Sequence, residues 1–132
     1  LPQDPPVTLS SHAYLLLVKD RLLCESRFGS LPAVTIIEWG LGRLNDAGQT
    51  IELCRPGDLD NGVRTWICVD RLAYSDGTHS EGFPDGVDPW PVQADGGGAS
   101  LTRVNPYGWG DDPVNWQPLA PSLGVTRSRT GR

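Results

Sequence analysis

A chain of 132 residues and 14.3 kDa has room for one domain with a modest core and is short for two independent ones. With 16 Gly and 12 Pro, roughly a fifth of the chain is turn-forming or helix-breaking against a usual ~12%, which excludes a helical bundle. The net charge of −5, with Lys19 the only lysine, argues against a nucleic-acid partner, and the longest apolar run, Ala13 to Val18, is too short to span a membrane.

In chain order, the opening Leu1-Pro2-Gln3-Asp4-Pro5-Pro6 reads with residues 7 and 8 as a linker, and suggests a piece of a longer polypeptide. His12 to Lys19 is apolar enough to be a strand in the middle of a sheet. Asp20 is placed to cap a short helix that runs through Phe28 and stops at Gly29. Val34 to Trp39 and Leu41 to Leu44 read as extended, and Asn45 to Gly48 as the turn of a hairpin that returns along Gln49 to Leu53. Pro56 to Gly62 reads as a second turn, followed by a long antiparallel strand from Val63 to Tyr74. Val63, Thr65, Ile67 and Val69 fall on one face of that strand, with Arg64, Trp66, Cys68 and Asp70 on the other.

Ser75 to Gly98 is a long Gly/Asp/Pro-rich loop around Phe83, Val87, Trp90 and Val92, Ala99 to Val104 is a last clear strand, and Trp116 anchors a short edge segment. Residues 125–132 read as a flexible tail. Short strands with one helix and no helical crossover point to an all-β sandwich.

Three cysteines without a Cys-x-x-Cys spacing signal neither a zinc site nor a redox dithiol. Cys54 and Cys68 lie on strand-like runs joined by a turn, so they either face each other as a disulfide in an exported protein or stay as free thiols.

The residues Gly42-Arg43-Leu44-Asn45-Asp46-Ala47-Gly48, then Trp90-Pro91, then Ala94-Asp95-Gly96-x-Gly98-x-Ser100-Leu101-x-Arg103, and finally Trp116, together resemble the lamin-tail domain in its exported bacterial form. The resemblance runs from about Leu9 to Gly124, and the segment from Trp90 to Arg103 is its most specific part. It implies an immunoglobulin-like antiparallel β-sandwich over 9–124, without an active site, serving as an accessory module of a secreted or cell-surface protein. Members of that family carry strands upstream that nothing before Leu9 supplies, so the chain corresponds to the later two thirds of such a domain. Strands left unpaired at the seam would then favour dimerisation.

Chemistry-bearing residues are sparse. His12 and His79 are the only histidines. His79 lies near Ser75, Asp76, Glu81 and Asp85, but spacing alone does not assemble a hydrolytic triad. Asp58-x-Asp60-Asn61-Gly62 begins like a calcium loop and lacks the rest of the pattern, which leaves a hairpin turn. Asp76, Glu81, Asp85, Asp88 and Asp95 form a carboxylate-rich loop that is either a calcium site or a set of solvated turn residues. Asp95-Gly96-Gly97-Gly98 has no following Lys or helix and is no phosphate cradle. Of five Trp, Trp90 and Trp116 suit loop anchors, whereas Tyr107 and Trp109, set among Gly and Asp, suit an exposed contact surface.

The expected function is therefore a non-catalytic interaction or structural module, with a partner in the same polypeptide or on a neighbouring surface protein. The alternatives are a carbohydrate-binding module that uses the loop aromatics, and a metal-dependent hydrolase built on the 76–95 loop.

Overall fold

The computed structural model describes residues 7–124, so the tail at 125–132 and most of the linker lie outside the described residues. Two compact units form: one from the described residues up to Arg43 together with 122–124, the other from Leu44 to Pro121.

The first unit holds β1 (Leu15–Val18), α1 (Arg21–Phe28) and β2 (Thr35–Glu38). Asp20 caps α1, its carboxylate accepting from Leu23 N at 2.9 Å, and Gly29 ends the helix at φ 83°, where a side chain would be strained. β1 and β2 are parallel, with Leu16 opposite Ile36, because α1 carries the chain back to the same end before the second strand begins. The Arg21 N–H donates to Glu38 Oε1 at 2.7 Å and the Trp39 N–H to the Val18 carbonyl at 3.0 Å, tying helix start and strand ends together.

The second unit holds β3 (Gly48–Asp60), β4 (Val63–Ser75), β5 (Ser100–Arg103) and β6 (Trp116–Leu119). β3 and β4 form one long antiparallel ribbon closed by Asn61-Gly62, both at positive φ (48° and 81°), the conformation that matches the right-handed twist of two joined strands. Its pairing is irregular twice. Val69 is an extra residue on β4 between the pairs Leu53–Asp70 and Cys54–Cys68, and on β3 Gly57 and Asp58 together face the single residue Thr65 of β4. The two irregularities shift the register in opposite senses, so the tight turn is preserved. β5 and β6 pair antiparallel, Arg103 opposite Trp116.

These facts correct the expected architecture. The immunoglobulin-like sandwich does not form: the described residues make three separate two-stranded sheets, one of them parallel, with one short helix. The all-β character stands, but a helical crossover is present. Among the described residues the apolar run at 13–18 has a single strand neighbour, not the two of a mid-sheet strand. The Asn45–Gly48 turn forms, with Asn45 Oδ1 accepting from the Ala47 N–H at 3.0 Å, yet among the described residues β3 pairs with β4 alone and not with the segment before the turn. Nor is Pro56 to Gly62 a turn throughout, since β3 runs through Pro56 beside the second irregularity, where the missing N–H of proline does least harm. Periodicity marks a segment as extended; which segment pairs with it is a tertiary matter.

The core of the second unit is small. Trp90 is 3% exposed and packs against Trp116 with ring centroids 6.3 Å apart and planes tilted by 48°. The Arg103 guanidinium lies 5.8 Å from the Trp116 ring centre, and its Nε is buried without a partner among the described residues.

Candidate functional site

The loop between β5 and β6 is held by hydrogen bonds along most of its length. Asn105 starts it, its Oδ1 accepting from the Tyr107 N–H at 3.2 Å. Three consecutive carbonyls are then each taken by an inward side chain. Gly108 O accepts from the Arg103 guanidinium, Trp109 O from Asn115 Nδ2 at 2.9 Å, and Gly110 O from Trp116 Nε1 at 2.8 Å. Asp111 follows, one oxygen accepting from the Ala73 N–H and the other from Arg71, each at 2.6 Å, which fastens the loop to β4. Asp112 caps the 3-10 turn Pro113–Asn115 by accepting from the Val114 N–H at 3.1 Å.

Glycine is required twice in this loop. A Cβ on Gly108 would stand 2.3 Å from the Asn115 amide nitrogen, and one on Gly110 would stand 2.1 Å from the Arg71 carbonyl oxygen. On the outside of the frame, Tyr107 is 96% and Trp109 85% exposed. Arg103 also donates to Asp70, so the carboxylate it meets belongs to β4 of the ribbon. Asp70 and Asp111 carried no sequence signal for this role, because their partners stand 33 and 38–40 residues away.

The carboxylate-rich loop resolves differently. Asp76, His79 and Asp88 each place one ligand-type atom within 4.8 Å of the others, while Glu81, Asp85 and Asp95 stand outside that group. The carboxylates in it are already engaged. Asp88 accepts from Ser75 Oγ, from the His79 N–H at 3.1 Å and from the Trp90 N–H at 3.0 Å, using both oxygens. Asp76 Oδ1 accepts from the Thr78 N–H and hydroxyl at 2.8 and 2.6 Å, and lies 3.0 Å from His79 Nδ1.

Both acids sit below the ordinary carboxylate range. For Asp88, burial acts to raise the value and is outweighed by the donors Ser75, Trp90 and His79; for Asp76, the Thr78 hydroxyl is the leading cause. The cluster is thus a hydrogen-bonded clasp that closes the loop and delivers Trp90 to the core. A ring nitrogen among its atoms also departs from the all-oxygen shell that calcium prefers. Ser75 Oγ bonds Asp88 and not His79, so a serine nucleophile with histidine as its base is not what the hydrogen bonds assemble.

Much of the motif behind the family resemblance gathers around a small cleft of about 240 Å³. Asn45, Pro91, Asp95, Gly96 and Leu101 line it, with Asp46, Tyr74, Ser75, Asp76 and Ala94. Tyr74 Oη donates to the Asn45 carbonyl at 2.7 Å, and Gly48 admits no side chain because a Cβ would stand 2.6 Å from the Tyr74 carbonyl oxygen. Gly42, Gly96 and Gly98 all have positive φ, Leu44 is exposed, and Ser100 and Arg103 bound β5.

Comparison with known proteins returns nothing: no family model, curated protein or solved structure matches the chain. No helix among the described residues is long and apolar enough to cross a membrane.

Proposed function

We propose that this chain is a non-catalytic interaction module that engages a protein partner through Tyr107 and Trp109. The observation that carries this reading is the mounting of those two rings: nearly full exposure on a backbone whose carbonyls at 108, 109 and 110 are each held from within. Rigid aromatic side chains lose little freedom on association, and a frame set before binding lowers the entropic cost further. Aromatic residues of this kind dominate contact energies at protein interfaces.

The ribbon also exposes apolar side chains on both of its faces, with Leu53, Leu59, Val63, Trp66 and Val69 all more than half exposed. It is the place where a second copy of the chain would add strands to the free edges of a two-stranded sheet.

A protein partner is favoured over a glycan because the carboxylates beside the rings, Asp111 and Asp112, are spent on this chain's own donors and offer little to sugar hydroxyls. Affinity capture from extracts of the source cells tests the reading, with wild type compared against a Tyr107→Ala/Trp109→Ala variant. Capture of one defined polypeptide by wild type, lost in the variant at unchanged melting temperature, is the expected result. Equal capture by the variant would sink the proposal, and a saturable tryptophan fluorescence change on polysaccharide titration would replace it with the carbohydrate reading.

A further inference from the structure

Among the described residues the β3–β4 ribbon has no third strand, and an isolated two-stranded ribbon is marginal in water. In the middle of this segment, between the two register irregularities, Cys54 stands directly opposite Cys68. Opposed residues of an antiparallel pair have Cα atoms about 4.5–5.5 Å apart, inside the window of about 4.4–6.8 Å that a disulfide spans. In the reduced chain the Cys68 thiol donates to the Asp70 carbonyl at 3.3 Å, a weak bond that it gives up on turning toward Cys54. Cys24 lies on α1 and has no such register partner, whereas Cys54 and Cys68 are a matched pair.

We propose that Cys54 and Cys68 are a redox modification site that closes into a cross-strand disulfide, stapling the distal half of the ribbon. The bond closes a loop of about fifteen residues around the Asn61-Gly62 turn and pins the register where two irregularities would otherwise let it slip. The two sulfurs differ in access. Cys68 is exposed and is the sulfur that an outside disulfide reaches, while Cys54 is partly enclosed.

With a small-molecule disulfide such as oxidised glutathione as oxidant, the Cys68 thiolate attacks one of its sulfurs, and a glutathione thiolate leaves. The Cys54 thiolate then attacks the Cys68 sulfur of the mixed disulfide and releases the second glutathione. Two protein thiols are oxidised, one glutathione disulfide is reduced to two thiols, and the two protons lost by the cysteines are taken up by the departing glutathiones. Partial burial, and then the neighbouring Cys68, push the Cys54 thiol up, so this second step quickens as pH rises.

The full chain is equilibrated in buffers of oxidised and reduced glutathione, alkylated, and digested with trypsin under non-reducing conditions. Because Arg55 precedes Pro56, the expected product is peptide 44–64 linked to peptide 65–71, with Cys24 alkylated. Amide exchange within 55–67 is expected to slow by about tenfold or more on oxidation, and Cys54→Ser is expected to abolish that slowing. Linkage through Cys24, or Cys68 trapped as a glutathione mixed disulfide with Cys54 still alkylated, would overturn the proposal. The peptide map uses only the native chain, so the proposal stays testable even if the serine variant fails to fold.

Discussion

Asp88 is a single side chain whose three acceptor contacts hold the start of the 75–98 loop to its middle, at residues 88–90. Its carboxyl is held below its ordinary value near 3.8, so the native state binds that proton more weakly than the unfolded chain does. The stabilisation is complete above that ordinary value and is lost as pH falls through the lower native one; Asp76 acts in the same direction. A carboxyl-carbon NMR titration should therefore place the Asp88 midpoint below 3.8, with the environment of Trp90 changing in the same window. A midpoint at or above 3.8 would remove the clasp from the account. The acidic character of this loop is plain in the sequence, but which oxygens face solvent and which face backbone N–H groups depends on the path of the loop.

The ribbon shows what an element adds. Alternation over Val63 to Tyr74 announces a strand, and Asn-Gly announces a tight turn, but the two irregularities leave no compositional trace beyond Pro56 and Gly57. They decide which residues oppose each other, and hence that Cys54 meets Cys68. Gly62, at φ 81°, is the position where the turn demands freedom from a Cβ. Gly62→Ala should destabilise the ribbon by about 1 kcal/mol, read as a lower urea midpoint and as faster amide exchange confined to residues near the turn. An unchanged midpoint would mean that the turn does not limit ribbon stability.

At the scale of the whole molecule, the second unit rests on few enclosed side chains. Trp90 is the one buried apolar side chain among those described, and it meets Trp116, whose indole holds the aromatic loop. Removing a buried indole costs about 3–5 kcal/mol, which is a large share of a typical stability of about 5–15 kcal/mol. Trp90→Ala should therefore shift urea unfolding, followed by circular dichroism, to a much lower midpoint or leave no transition. A variant within about 1 kcal/mol of wild type would show that the stability of the unit resides elsewhere.

Local chemistry was legible from residue order alone: the Asp20 cap and Gly29 stop of α1, the extended runs, the Asn45–Gly48 turn, and two aromatic residues set among Gly and Asp where they stay exposed. Each depends on neighbours within a few positions, where backbone preference and capping act directly. Only the tertiary structure decided that β1 pairs in parallel with β2, that the sheets stop at two strands, and that Arg103, Asn115 and Trp116 converge on three successive carbonyls. Those outcomes depend on contacts between residues far apart in the chain, and strand periodicity is the same whichever partner, direction or register a strand finds.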